Sequence, residues 1–136
     1  MYSLTVRRHA FIAHSLKGDV FGPARNLHGV TLIVEAEFKA PEIDANNTVM
    51  DVVRASKILK DVLAEYHYKN LDENPALAAV PTTMEFLARR IHDGVAARAA
   101  SRFRGGLKIT LRESPEAWAS YEGDVVSGRK PRVQRA

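Results

Sequence analysis

The sequence predicts an α+β domain: an antiparallel four-stranded sheet with two helices packed on one face. Three observations lead there. Two long stretches near the start alternate apolar and polar residues, two in the middle repeat at helical spacing, and two near the end return to alternation. The order strand, strand, helix, helix, strand, strand (ββααββ) groups the strands around a helix pair. A length of 136 residues suits one domain, and its core is modest enough that an oligomer burying more surface would be no surprise.

Residues 2–14 read as the first strand, with Leu4, Val6, Ala10, Ile12 and His14 on one parity. Thr5, Arg7 and His9 take the other, and Arg8 is a misfit on the apolar row. A loop over 15–26 holds Gly18, Asp19, Gly22, Pro23 and Asn26. The second strand sets Val30, Leu32, Val34, Ala36 and Phe38 against Thr31, Glu35, Glu37 and Lys39, with Ile33 the lone apolar residue on the outer face. The two strands and their loop fit an antiparallel hairpin. Two open sheet edges and Ile33 make assembly of sheet with sheet a reasonable expectation.

The period then changes. Val52, Ala55, Leu59, Val62 and Tyr66, widened by Ile58 and Leu63, form the apolar stripe of a helix that Asp51 is placed to cap. A break runs from Tyr68 to Pro81. Thr82-Thr83-Met84-Glu85 carries a capping-box spacing, so a second helix is predicted with Thr82 at its N-cap and Leu87, Ala88, Ile91 and Val95 inward. Gly105-Gly106 turns the chain into a third strand with Leu107, Ile109, Leu111 and Glu113 on one face. After Ser114-Pro115 comes a short fourth strand around Ala117–Tyr121. The folded body is therefore placed at 1–123 and a basic, disordered tail at 124–136.

Charge and composition exclude several functions. Twenty Lys and Arg against sixteen Asp and Glu give +4, but Arg129, Lys130, Arg132 and Arg135 lie in the last eight residues. Residues 1–128 thus carry sixteen charges of each sign, a balance that argues against a nucleic-acid partner for the body. With no cysteine there is no disulfide framework, thiolate metal site or cysteine nucleophile. No apolar run has the length of a signal peptide or a membrane span, and a cytoplasmic protein is expected.

Three polar residues continue apolar rows at strand ends. His14 ends the inward row of the first strand, His28 stands one step before that of the second, and Glu113 ends that of the third. Spacing alone leaves two readings open: two satisfied core histidines and a locally paired glutamate, or one polar site. Two histidines are one short of the three protein ligands that a stable zinc site wants, and the next inward position is Val30. His9 and His92 are expected to be solvated.

Phe11-Ile12-Ala13-His14, Leu27-His28-Gly29, Asn70-Leu71-Asp72, Thr82-Thr83 followed by Glu85, Leu87 and Ala88, and Arg112-Glu113-Ser114 occur in order over residues 2–122. In that order and spacing the chain resembles the 6-pyruvoyl-tetrahydropterin and 6-carboxy-tetrahydropterin synthase family. The resemblance implies a tunnelling fold, in which sheets join into a barrel as trimers that stack as hexamers, with active sites between subunits. It implies a pterin-like substrate such as dihydroneopterin triphosphate, a carbon–oxygen lyase reaction and zinc. His14 and His28 match two zinc ligands, Glu113 the residue that anchors the pterin, and Thr83 its threonine helper.

Departures from the family pattern fall on the reacting groups. His28-Gly29-Val30 replaces a His-Gly-His, Ala24 stands where a cysteine is usual, and His67-Tyr68 replaces an Asp-His pair. His67 and Tyr68 are accordingly the candidates for acid–base work. The resemblance thus implies a divergent member with altered catalytic residues, or else a non-catalytic pterin- or purine-binding paralogue.

Overall fold

In the computed structural model, which describes residues 1–126, two thirteen-residue strands open the chain, β1 (Tyr2–His14) and β2 (His28–Ala40). They pair antiparallel along their whole length, from Tyr2 opposite Ala40 to His14 opposite His28. The helix α1 (Val52–Leu63) follows, capped as expected by Asp51, whose carboxylate accepts the backbone N–H of Val53 at 3.0 Å. Its predicted last apolar residue, Tyr66, lies in the turn beyond the helix but is still buried, and its hydroxyl accepts a bond from Arg90. Helix α2 spans Met84–Ala99, and β4 (Gly105–Ser114) and β5 (Ala117–Val125) complete the chain.

One strand was not foreseen. Lys69–Asn70 forms a two-residue β3 that pairs parallel with Ile12 and Ala13, so the sheet has five strands in the order β3-β1-β2-β4-β5. Two residues are too few to leave an alternation in the sequence. The last strand is also longer than expected: nine residues, ending at a buried Val125. The boundary drawn at residue 124 therefore falls inside β5. The basic residues from 127 onward lie outside the described part of the chain.

Both helices lie on one face, and a single core joins them to the inward rows. Val34, Phe38, Leu107, Ile109 and Leu111 meet Leu59, Leu87, Ile91 and Val95 there, each worth about 1.5–3 kcal/mol of burial. Arg8, the misfit of β1, reaches across to Ser56 Oγ of α1 at 3.1 Å, which keeps its cation at the margin of that core. His92 corrects an expectation. It is buried rather than solvated, with Nε2 3.2 Å from the Gly123 carbonyl and its ring edge-on to Tyr121. β5, longer than predicted, covers what would otherwise be the exposed side of α2.

The opposite face is polar. Glu35 receives Arg7 from β1 and Arg112 from β4, and the Arg112 guanidinium lies 4.8 Å over the Trp118 ring of β5. Lys39 pairs with Glu122 at 2.8 Å. The contacts of Glu35 and Arg112 join neighbouring strands, and Lys39–Glu122 reaches from β2 past β4 to β5, so fixed charge runs across the sheet.

Candidate functional site

At one end of the sheet the chain brings together residues from four separated segments. His14 closes β1 and His28 opens β2 directly opposite, so both side chains project to the helix side, with ring centroids 4.7 Å apart and edge to face. His14 is buried, and its Nδ1 lies 2.9 Å from Thr82 Oγ1, which is buried as well. His28 is half-buried and gives its Nδ1 proton to the Asn26 carbonyl at 2.8 Å. That bond leaves the His28 Nε2 lone pair free. Burial, then the neighbouring His28, pushes the His14 pKa below the ordinary histidine value, against the opposing pull of Asp72 and Glu113. His14 is therefore neutral at neutral pH.

The capping prediction is off by one residue. Thr83, not Thr82, caps α2, its hydroxyl accepting from Phe86 N–H at 3.2 Å. Thr82 is turned inward and spent on His14. Thr83 retains its hydroxyl proton for other use.

Glu113 differs from expectation too. A β-bulge between Arg112 and Ser114 drops it from the ladder, and it is exposed rather than buried. The inward row ends at Leu111, and the carboxylate stands in water, near enough for its charge to favour protonation of His14.

Asp72 is the residue that inspection of polar misfits overlooked. Asn70 Oδ1 accepts Asp72 N–H at 3.0 Å and so fixes the 3-10 turn Leu71–Glu73, while buried Leu71 anchors that turn in the core. Asp72 is thereby held against Ser15, taking its N–H at 3.2 Å and its Oγ–H at 2.6 Å. Lys17 Nζ donates to Ser15 Oγ at 2.7 Å and stands 3.5 Å from the Asp72 carboxylate. Burial opposes ionisation of Asp72, but the Ser15 bonds and Lys17 outweigh it and hold the carboxyl below the usual range. The Asn-Leu-Asp spacing was visible in the sequence; its role as a clamp on residue 15 was not.

His67 and Tyr68 are not part of this cluster. They flank Phe11, three residues before His14 and so roughly 10 Å away along the strand. Phe11 N–H donates to His67 Nδ1 at 3.0 Å, and Tyr68 N–H donates to the Phe11 carbonyl. Accepting at Nδ1 places the neutral His67 proton on Nε2, so this ring donates a hydrogen bond from Nε2 and has no lone pair there. Tyr68 adopts φ 62° and is 78% exposed.

The donor set does not complete a metal site. His14 and His28 supply two imidazoles, the next inward residue is aliphatic Val30, packed on the core, and no three His, Cys, Asp or Glu of the described residues are grouped to hold an ion. No helix among the described residues is long and apolar enough to cross a membrane.

Known proteins share this arrangement of strands and helices. The model of the 6-pyruvoyl tetrahydropterin synthase family matches residues 3–124. The chain is similar in structure to 6-pyruvoyl tetrahydropterin synthase of Caenorhabditis elegans, at TM-score 0.75 and 22% identity over 90% of this chain and 97% of that one. The Plasmodium falciparum enzyme gives TM-score 0.73 and 13% identity over 91% and 98%. An uncharacterized Wolinella succinogenes protein gives TM-score 0.64 and 12% identity over 88% and 97%. No curated protein sequence matches the chain.

Proposed function

The chain belongs to the 6-pyruvoyl tetrahydropterin synthase family, and on that premise we propose that it binds a pterin-like heterocycle at the His14–His28 end of the sheet and acts on it as a divergent carbon–oxygen lyase. The observation that carries this reading is convergence: His14, His28, Thr82 and Glu113 come from four segments to one strand-end cluster. An exposed carboxylate offers two acceptor oxygens, which suits the paired N–H donors on the edge of an amino-pyrimidine ring. Glu113 is the proposed anchor, and Thr83, whose hydroxyl proton is unspent, its proposed helper.

His67 takes the part of hydrogen-bond donor to a developing oxyanion in this proposal, because its Nε2 carries the N–H, with Tyr68 as its neighbour. Their distance from His14 within one chain is bridged if the site forms between copies. A homo-oligomer, trimer or hexamer, belongs to the proposal, and the open edge of β1 before Phe11 supports it. In the family zinc supplies Lewis acidity; here it enters only as a weakly held guest of His14 and His28.

Calorimetry with neopterin, alongside turnover of dihydroneopterin triphosphate, tests the reading. Wild-type protein should bind neopterin, and Glu113→Gln should weaken binding at least tenfold, the loss of charge-assisted bonds at one carboxylate. Equal affinity of the two proteins would sink the anchor assignment. Binding without turnover would instead establish the non-catalytic pterin- or purine-binding alternative.

A further inference from the structure

At the end of the sheet farthest from His14, an open cleft of about 610 Å³ lies between the start of β1 and the start of α1. Tyr2, Leu4, Ile43, Val49 and Val52 give it an apolar floor, and Asn46 and Asn47 edge it. Tyr2 is 48% exposed and Val52 53%, so water stands on apolar surface there.

The rim is acidic. Residues 41–54 hold Glu42, Asp44 and Asp51 against Arg54 alone, a net charge of −2. Bonds from the Thr48 N–H and hydroxyl and from the Asn46 N–H hold the Asp44 carboxyl below the usual carboxylate range. Asp51 is partly offset by the positive end of α1, which it caps. Glu42 is exposed and makes no ion pair among the described residues.

The chain itself supplies a counterpart. Residues 127–136 carry Arg129, Lys130, Arg132 and Arg135 and no acidic side chain, a charge of +4. They follow β5, whose last residues sit at this same end: Asp124, Gly106, Lys39 and Ser3 form one row across β5, β4, β2 and β1. Three strand spacings, roughly 14 Å, separate β5 from β1. A segment of that length reaches up to about 33 Å. The corner it starts from holds Arg102 and Arg104 against Asp124, so it repels cations, whereas the cleft attracts them.

We propose that residues 127–136 lie across this cleft on their own chain, with their cations on Glu42, Asp44 and Asp51 and a guanidinium against the Tyr2 ring. Exposed ion pairs are individually weak, and the tether compensates: a segment fastened to the sheet meets the cleft at an effective concentration on the order of millimolar. The contact is therefore reversible and sensitive to salt. This surface is separate from the pterin cluster, and the inference does not rest on that reading.

Because the chain has no cysteine, Gln134→Cys gives a single thiol for a nitroxide label on the full chain. In amide NMR spectra at about 0.1 M salt, Asn46, Asn47 and Thr48 should lose intensity to the label, while Gly29 and Ala117 at the far end keep theirs. About 1 M salt shortens the screening length from roughly 10 Å to roughly 3 Å and should restore the lost intensity. Glu42→Gln should weaken the loss, and replacing all four cations by Gln should abolish it. Broadening confined to Arg104, Gly105 and Val126, or unchanged by salt and by Glu42→Gln, overturns the proposal. A loss of equal size when label and isotope sit on different copies overturns it as well, because the segment in the cleft then belongs to a neighbouring copy.

Discussion

Thr82→Val isolates the contact that orients His14. Valine has nearly the shape of threonine, so the substitution opens no cavity in a position that is 1% exposed; what it removes is the hydroxyl 2.9 Å from His14 Nδ1. The imidazole nitrogen is then left buried without that partner. Stranding one buried polar group costs about 1–3 kcal/mol, more than the net value of the bond, because the water that would have solvated it is excluded. With a denaturant slope of about 1–3 kcal/mol/M in urea, a loss near 2 kcal/mol moves the unfolding midpoint by roughly 1 M at fixed protein concentration. A double-mutant cycle with His14→Leu sharpens the test. Once the imidazole is gone, Thr82→Val should cost little or even stabilise, giving a coupling of about 1–3 kcal/mol. Two results would refute the reasoning: no change in midpoint for the single variant, or the same loss whether or not His14 is present.

Val30→His places a third imidazole two residues after His28 on the inward row; elemental analysis should show zinc rising from well under one to about one per chain, and an unchanged value would mean that ligand number is not what limits the site. Asp72→Asn should destabilise the fold at pH 7 but converge with the unaltered protein as the pH falls. The native carboxyl has a pKa below the 3.8 of an ordinary aspartate, so the folded state binds fewer protons, and the advantage is present above that value and is lost as the pH falls through the native one. Urea titrations at pH 7 and pH 3 with the same difference would contradict this.

The outline of the fold was legible because burial imposes a period, and the long strands and the two helices had residues enough to show it. β3 did not, because a parallel pairing of two residues rests on tertiary position rather than on pattern. His14 and His28 could be paired by their places at facing strand ends. His92 could not be read correctly, since its burial depends on the far end of β5 folding across α2. Glu113 shows the opposite failure: parity assigned it to the core, and one bulge released it. The Thr82 and Thr83 hydroxyls were both visible as cap formers, but which one caps depends on where His14 stands, a residue 68 positions away. Lys17 and Asp72 lie in irregular segments where periodicity carries no information.

The charged ladder on the helix-free face sets a limit on any assembly. Arg7, Glu35 and Arg112 satisfy one another across three strands, and Lys39 and Glu122 do so beside them. Excluding water from such groups costs several kcal/mol per ion. If copies of this sheet close around a common axis with that face inward, the space inside can be enclosed but not dried: it would be a water-filled bore lined with ions, whose neighbours are held together at the strand edges rather than across the middle.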